Sequence, residues 1–331
     1  MQLPTFQSRC RFGIAIADIT PPVGIYHRMW GAATHDRSEG IHRPLFATAM
    51  YFGSFETDDY QVLVAVDHCL LGVSEVEMVL DRVATKSGLN KNAITITFSH
   101  THAAGLLNLD RQELPGGELI PGYLNQLAAT IAQLVVDAAN STTTADIVYG
   151  IGSCKLAAHR DFYDEDNEEF VCGLNPEDPA DDTVMVARVT DFGGKTLAAI
   201  VNYACHPTTL AWDNRLISPD YPGAMRETIH DAIGAPCVFL QGASGDLGPV
   251  EGFVGDTEVA DRNGRQLAFA ALSVWESLTP ANTAYEYAGK VVSGAAIGTW
   301  KRTAMDRDQL SQLATWSCDR QPVDLDYRSD L

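Results

Sequence analysis

Short apolar stretches that predict β-strands recur along the chain. Ile94–Phe98 (ITITF) alternates apolar and polar residues with the period of two expected for a strand. Short apolar runs predict further strands at Gln61–Val66, Val184–Thr190, Thr196–Ala204 and Cys237–Leu240. The segment Asp191–Lys195 contains two glycines, lies between two of these strands and is typical of a hairpin turn.

Longer segments repeat apolar residues at helical spacing. They are Ser74–Ala84, with Ser74 as the expected N-cap, Tyr123–Ala139 and Val259–Leu278. Another helix is predicted to start at Asp220, because Pro222 then lies in its first turn, and we expect this segment to be structural. Since a hairpin and strand–helix–strand units occur together, the pattern predicts an α/β protein with a mixed sheet. No internal sequence repeat is visible.

The overall charge of the chain is strongly acidic. The 331 residues include 23 Lys and Arg against 43 Asp and Glu, a formal net charge of −20. Sequence-independent binding to nucleic acid requires clustered cations, so this balance argues against it and equally against a polybasic membrane anchor. Much of the acidity lies in Asp161–Glu169 and Asn175–Asp182. These segments form either a solvated surface excursion or a flap that attracts cations.

Targeting signals and disulfide patterns are not apparent. Met1–Phe12 lacks the basic start and following apolar run of a secretory signal. No stretch reaches the roughly 18 consecutive apolar residues of a transmembrane helix. The 7 cysteines are odd in number, widely spaced and without a CxxC pair, which favours free thiols in a reducing compartment. The sequence therefore predicts a cytoplasmic protein with no transmembrane segment.

Two histidines follow the Ile94–Phe98 strand in the motif Ser99-His100-Thr101-His102. Side chains alternate along a strand, so both imidazoles are predicted to continue its buried face beyond the C-terminal end. Open α/β sheets bind their ligands at this edge. Two protonated imidazoles so close would repel each other, so the pair either binds a metal or is hydrogen-bonded with a structural role.

A further histidine, His206, ends the Thr196–Ala204 strand just before Pro207. Taken alone, it is a hydrogen-bonded loop residue. Its interest is that two strands of one sheet would each deliver histidine at their C-terminal ends. A zinc site needs three or four ligands, so a further partner is required.

The glycine-rich segment Gln241–Pro249 (QGASGDLGP) follows the strand that starts at Cys237. Its N–H groups could stabilise an anion, and Asp246 could orient a histidine by accepting its hydrogen bond; an ordinary glycine-rich turn is the alternative. Ser244 is a candidate nucleophile, although no GxSxG elbow surrounds it. Arg160 could bind a substrate carbonyl, or it could pair with neighbouring acids.

Taken in order along the chain, these motifs resemble the neutral/alkaline ceramidase family. The resemblance begins at Gly13–Gly24, which contains ADITPP, and extends to about residue 280. It also includes Gly40–Ala49, Ser99–His102, His159-Arg160, Tyr203–Thr209 and Gly245–Pro249. The resemblance implies a layered α/β sandwich, with a mixed sheet flanked by helices and a metal in a central pocket.

The resemblance further implies a zinc-dependent amidase that hydrolyses the N-acyl amide bond of a lipid or other small molecule. His100 and His206 would bind Zn²⁺, His102 would face the reacting carbonyl or the water, and Arg160 would contact the substrate. Zinc suits this reaction because it lowers the pKa of bound water to about 7 and polarises a carbonyl. Together with Asp246 as the acceptor for a histidine, the predicted catalytic residues are His102, Arg160 and Asp246.

The sequence departs from the family pattern at two places. Gly248 occupies the position of a serine that the resemblance implies is important for catalysis. No motif after Pro249 matches the Glu and Tyr that complete the family's metal site, and Trp300–Leu331 resembles the start of a helical region. We therefore expect residues 1–331 to be a single catalytic domain, incomplete at its C-terminus and without the family's immunoglobulin-like domain. A catalytically silent ligand-binding relative and a serine esterase that uses Ser244 are the alternatives.

Overall fold

A mixed sheet of eight strands organises the protein in the computed structural model, which describes residues 2–3 and 6–316. In chain order the strands are β1 (Gln7–Asp18), β2 (Phe46–Gly53), β3 (Tyr60–Val66), β4 (Ile94–Phe98), β5 (Thr143–Ser153), β6 (Thr183–Asp191), β7 (Thr196–Tyr203) and β8 (Cys237–Gln241). Across the sheet their order is β8-β7-β6-β5-β1-β2-β3-β4. Only β3/β4 and β7/β8 are parallel among these neighbours, so the sheet is mixed as predicted.

Four long helices cover the sheet. They are α1 (Val73–Ser87), α2 (Ile120–Asn140), α3 (Tyr221–Ile233) and α4 (Thr257–Ser277). Helix α1 crosses from β3 to β4, and α3 crosses from β7 to β8. Helices α1 and α2 pack together, as do α3 and α4.

The fold consists of two halves with the same topology. Each half has three antiparallel strands, a crossing helix, a strand parallel to the third, and a second helix. The halves are β1–β4 with α1 and α2, and β5–β8 with α3 and α4, and they join through the antiparallel pair β1/β5. The sequence shows no repeat because this arrangement depends on the pattern of apolar positions, which many different residues can satisfy.

Three apolar clusters define the layers. In the first half, Val64 and Leu127 belong to a cluster between the strands and α1 and α2. In the second half, Val201 and Leu267 belong to an equivalent cluster beneath α3 and α4. A third cluster contains Phe12, Met50, Ile147, Val189 and Val238, from the opposite face of both halves. The two half-sheets therefore face each other between outer helix layers, which confirms the predicted layered α/β sandwich.

Most predicted elements are present, with shifted ends. Ile94–Phe98 has the predicted bounds, and the hairpin turn lies between β6 and β7 with Gly194 at φ +84°. Helix α1 begins one residue earlier than predicted, with Gly72 as its N-cap, and Ser74 hydrogen-bonds to Glu75 instead of capping the helix. Helix α3 begins at Tyr221, one residue after the predicted start, and Asp220 is its N-cap.

Several strands were not predicted. Strand β1 places Cys10, Phe12, Ile14 and Ile16 at a period of two but was not recognised. Strands β2 and β5 lack a clear period of two, and both lie in the middle of the sheet. The prediction of a helical region that starts at Trp300 was wrong for its first residues, because Trp300 lies in the strand Ala295–Ala304, which pairs with Thr283–Ser293. A short helix follows at Arg307–Leu313, and the rest of the predicted region, from residue 317, lies outside the described residues.

The remaining elements are short. They comprise the strands Gln2–Leu3, Gly40–Ile41, Ala157–His159, Asp161–Asp164, Glu169–Cys172, Leu216–Ile217 and Leu247–Pro249, and the 3₁₀ helices Lys91–Ala93, Leu109–Arg111 and Gly117–Leu119. Asp161–Asp164 and Glu169–Cys172 form an exposed acidic hairpin. Leu247–Pro249 pairs with Ala157–His159 and thereby brings the glycine-rich segment next to Arg160.

One helix among the described residues, Gly117–Asn140, is long and apolar enough to cross a membrane, with a mean hydropathy of 1.3. Its apolar face is used inside the protein, where Leu124, Leu127 and Ile131 are fully or almost fully buried in the core of the first half. A core helix passes the same test of length and composition. The helix therefore provides no evidence for a transmembrane segment.

Candidate metal centre and active site

Three imidazole rings lie together where β4 and β7 end. His100 and His102 follow β4, and His206 follows β7. The ring centroids are separated by 5.1 Å for His100 and His102, 4.5 Å for His100 and His206, and 4.9 Å for His102 and His206. The convergence of the two strand ends that the sequence predicts is thus present, and His102 belongs to the same cluster as the two predicted ligands.

The loop backbone, and not strand alternation, orients these rings. His100 has φ +65°, a left-handed conformation that β-strands do not contain. Its N–H donates to the carbonyl of His68 at 2.9 Å, and the N–H of His102 donates to the carbonyl of Pro207 at 3.2 Å. The second of these bonds ties the loop after β4 directly to the loop after β7.

Backbone carbonyls fix the tautomers of two rings. The Nδ1 atom of His100 lies 2.8 Å from the carbonyl oxygen of Cys69, and Nδ1 of His206 lies 3.1 Å from that of Ser244. A carbonyl oxygen only accepts, so each Nδ1 carries the proton and each Nε2 has a free lone pair. Nε2 of His206 lies 3.0 Å from Nε2 of His102, which donates to it when protonated at that atom. Carbonyl-oriented imidazoles of this kind are typical of metal ligands.

The surroundings keep the imidazoles of His102 and His206 neutral. Burial, followed by the neighbouring rings of His206 and His100, lowers the pKa of His102 to about 3. Burial is also the main reason that the pKa of His206 is lowered to about 4, and Arg160 contributes to both shifts. The neutral imidazole is the form that binds a metal ion or accepts a proton.

Cys69 provides a second possible ligand set with His100 and His102, whose donor atoms lie within 4.8 Å of one another. Its sulfur is 3.7 Å from Nδ1 of His100, the atom already bonded to the Cys69 carbonyl. Burial also raises the pKa of the thiol to about 12. We therefore favour the set His100, His102 and His206, in which Nε2 of His102 and Nε2 of His206 lie 3.0 Å apart and the ring of His100 lies 4.5 Å from that of His206.

Arg160 is held beside the glycine-rich segment. Its Nε and one terminal nitrogen donate to the carbonyl oxygen of Gly245 at 3.0 and 2.6 Å, and its backbone N–H donates to that of Asp246 at 2.9 Å. The structure therefore shows the guanidinium bonded to this segment and not to the adjacent acidic hairpin. Its positive charge acts on His102 and His206 through space.

Asp246 and Ser244 do not join the three-histidine cluster through their side chains. The carboxylate of Asp246 is largely exposed and lies 3.6 Å from Nε2 of His159. The hydroxyl of Ser244 accepts a hydrogen bond from Gln241 at 2.6 Å, while the backbone carbonyl of Ser244 holds His206. The role of Asp246 as a catalytic residue stays a prediction.

Comparison with known proteins decides the family. Residues 10–236 match the family model described as "Neutral/alkaline non-lysosomal ceramidase, N-terminal", which covers more than half of the chain. The chain belongs to this ceramidase family. The match includes His100, His102, Arg160 and His206, whereas Ser244, Asp246 and Gly248 lie beyond it.

The individual ceramidases that resemble the chain are longer. The neutral ceramidase of Pseudomonas aeruginosa is 25% identical over 256 residues, covering 72% of this chain and 37% of the relative. The crystal structure of neutral ceramidase from the same organism superposes with a TM-score of 0.68 at 20% identity, covering 86% of this chain and 48% of that one. A ceramidase structure described as complexed with C2 gives 0.68 at 19% identity, with coverage of 86% and 47%. The likeness to both structures shows the fold, and the chain spans at most about half the length of these ceramidases.

Gly248, where the resemblance to ceramidases implies a serine, has space for a side chain. A Cβ atom there would lie 3.7 Å from Cδ of Arg160 and 3.8 Å from Oγ1 of Thr208, which are ordinary contacts. The neighbouring short strand pair would therefore accept a serine. The glycine is not required by packing.

Sequence reasoning missed an aromatic group beside the histidines. The ring of Trp30 lies 5.2 Å from that of His102, 6.0 Å from Trp212 and 5.8 Å from Phe253. These half-buried side chains come from three separate loops, so no local motif could indicate them. The loop that contains Trp30 also packs here through His27, whose Nε2 lies 3.1 Å from the carbonyl oxygen of Ala103.

Proposed function

We propose that this chain is a zinc-dependent hydrolase of an N-acyl amide bond. The observation that carries the proposal is the convergence of His100, His102 and His206, two of them with Nδ1 fixed by carbonyls and Nε2 free. Membership of the ceramidase family supports a hydrolase. Neither observation includes a metal, so zinc is the part that needs the direct test.

The residues present fit a zinc ion. Zinc binds imidazole nitrogen at about 2.0–2.1 Å, which places the nitrogens of a tetrahedral site roughly 3.3 Å apart. The separation of 3.0 Å between Nε2 of His102 and His206 is close to this spacing. Three protein ligands leave one position open, as in catalytic sites. We therefore propose His102 as the third ligand, in addition to His100 and His206.

A zinc ion supplies an activated water near neutral pH and polarises the amide carbonyl. Arg160, whose positive charge acts on His102 and His206, stabilises negative charge on the substrate oxygen. The carboxylate of Asp246 lies close to His159 and thereby restrains the glycine-rich segment of which it is part. Arg160 is bonded to the same segment through the carbonyl of Gly245. Trp30 and its aromatic neighbours form an apolar wall beside His102.

For the substrate we propose a lipid or other small N-acyl amide, with ceramide the first compound to test because the similar proteins are ceramidases. The net charge of −20 disfavours nucleic acid as a partner. We further propose that residues 1–331 form one catalytic domain and that the protein is cytoplasmic, as the cysteine pattern suggests.

The test is the zinc content of the purified chain before and after dialysis against a chelator, together with hydrolysis of an amide panel. His100→Ala, His102→Ala and His206→Ala should each lose zinc and activity. His230→Ala is the matched control, because His230 is exposed and lies on α3 outside the cluster.

The results separate the alternatives. If His102→Ala retains zinc and loses only turnover, His102 faces the substrate as the family resemblance implies. Chelator-resistant activity with covalent labelling of Ser244 would indicate a serine esterase. Failure of the wild-type chain to retain zinc or hydrolyse any amide, combined with stabilisation by amide ligands, would indicate a silent relative and refute the proposal.

A further inference from the structure

Residues Ser218–Tyr221, which lead into α3, hold the loop after β7 at both ends; we call these four residues the clamp. The hydroxyl of Tyr221 donates to the carbonyl of Cys205 at 2.6 Å, immediately before His206. The carboxylate of Asp220 accepts from the N–H of Leu210 at 2.9 Å and also bonds to Thr209. The segment that carries His206 is thus fixed on both sides.

The same clamp holds the loop after β4. The hydroxyl of Thr101 donates to the carbonyl of Ser218 at 2.8 Å, and the N–H of Ser218 donates to the carbonyl of Ala103 at 2.8 Å. Thr101 and Ala103 flank His102. The hydroxyl of Ser218 also accepts from the N–H of Asp220 at 2.9 Å, so the contacts to the two loops are connected.

The clamp is buried and has an unusual backbone. Thr101, Ser218, Asp220 and Tyr221 are all 0% exposed. Asp220 has φ +59° and ψ −151°, a combination that residues other than glycine rarely adopt. Burial raises the pKa of Asp220 to about 6, so at neutral pH it is a carboxylate that accepts several donors at once. Helix capping alone requires neither the strained backbone nor the contacts to two separate loops.

We propose that the clamp sets the relative positions of His206 and His102, with Asp220 and Tyr221 as positioning residues for the metal site. The inference rests on the proposed function, since it concerns the geometry in which these imidazoles bind zinc. The loop after β4 belongs to the first half of the sheet and the loop after β7 to the second. The clamp joins each of these loops to the start of α3. Removing one clamp contact should therefore disturb the site without removing any ligand.

The experiment measures zinc affinity of the full chain by competition with a chromophoric chelator. Tyr221→Phe removes only a hydroxyl, and Asp220→Asn removes one acceptor oxygen from a group that receives several N–H donors. Tyr203→Phe is the matched control, because its hydroxyl is equally buried and bonds to Cys154 and Ala157, outside both loops. Thermal unfolding of all three variants establishes that they are folded at the temperature used.

We expect Tyr221→Phe and Asp220→Asn to weaken zinc binding by about 10-fold or more, as loss of groups that orient ligands does, and Tyr203→Phe to leave it unchanged. Equal zinc affinity in Tyr221→Phe and wild type would overturn the proposal. A second readout needs no metal: the ¹H–¹⁵N NMR signals of the His206 and His102 rings should shift in Tyr221→Phe and not in Tyr203→Phe. If wild type binds no zinc, the proposed function fails, and these ring signals still decide whether the clamp positions the histidines.

Discussion

The two halves of the sheet have the same topology and different chemistry at their strand ends. In the first half, β3 is followed by His68, which is 1% exposed and bonded to the hydroxyl of Tyr123 at 2.6 Å. In the second half, β7 is followed by His206, whose Nε2 faces the other imidazoles. Nδ1 of His68 also has no hydrogen-bond partner among the described residues, but the ring beside His68 is Tyr123, whereas His206 lies beside two imidazoles. The comparison shows that a histidine at a strand end becomes a candidate ligand when its free nitrogen lies among further imidazoles.

The largest loss of stability should come from removing an ion pair that joins the two halves. Arg226 on α3 makes a buried bidentate ion pair with Asp67 at the end of β3, at 2.8 and 2.5 Å. Arg226→Ala leaves a buried carboxylate without its partner, so we expect unfolding to become easier by about 3–5 kcal/mol. Denaturant unfolding measures this.

The exposed pair Arg262–Glu251 provides the control, because both side chains are 56% exposed. Arg262→Ala should cost less than about 1 kcal/mol. Similar losses for the two variants would mean that the pair between the halves has no special role.

Acid should destabilise the fold through buried histidines of the first half. Burial lowers the pKa of His27 to about 4, whereas an unfolded histidine has a pKa of 6.5. Below pH 6.5 the unfolded chain takes up a proton that the folded one refuses, so stability falls from pH 6.5 to about pH 4, by about 3 kcal/mol for this group. Urea unfolding between pH 4 and 7 tests this, and His27→Gln should flatten the dependence. An unchanged slope in that variant would exclude His27 as its source.

Replacing each of the two histidines by alanine tests the comparison between the halves directly. His206→Ala should lower zinc affinity by at least about 100-fold, since losing a ligand costs no less than losing a group that orients one. His68→Ala should instead lower the unfolding free energy by about 2 kcal/mol and leave zinc affinity within a few-fold of wild type. Calorimetric unfolding and chelator competition on both variants distinguish them, and zinc loss in His68→Ala alone would reverse the assignment.

The aromatic wall should act on substrate binding. Trp30→Ala removes the ring beside His102, and we expect KM for an N-acyl amide to rise about 10-fold, or about 1.4 kcal/mol. Trp30→Phe keeps an aromatic ring and should retain most of the affinity. The indole N–H of Trp30 has no hydrogen-bond partner among the described residues, so loss of this N–H in Trp30→Phe should not reduce the free energy of unfolding. Steady-state kinetics over acyl chains of different length provides the measurement, and a KM independent of Trp30 would argue against the wall.

The smallest effect on stability is expected at Gly248. Gly248→Ser meets only ordinary contacts, so the unfolding free energy should stay constant or rise by up to about 1 kcal/mol. Amide hydrolysis should increase if the serine implied by the family resemblance contributes to catalysis. Gly264→Ser is the contrasting variant, because a Cβ there would lie 2.4 Å from the carbonyl oxygen of Tyr221 and should destabilise the protein.

Local sequence patterns predicted those strands and helix ends whose signal lies within a few neighbouring residues. The alternation in Ile94–Phe98 marked β4, and Pro222 after Asp220 marked the start of α3. Strand β2, in the middle of the sheet, has buried residues on both faces and showed no period to detect. The long strand β5 mixes exposed and buried positions that only its two neighbours explain.

The histidines and their family were determined by the sequence, because residue types and their order along the chain are visible in it. Which nitrogens are free was decided by tertiary structure alone. The carbonyls of Cys69 and Ser244 that orient His100 and His206 lie 31 and 38 residues away along the chain, and the clamp lies more than 100 residues from the loop after β4. Hydrogen bonds between such distant segments depend on how the two halves fold together, and no local pattern encodes them.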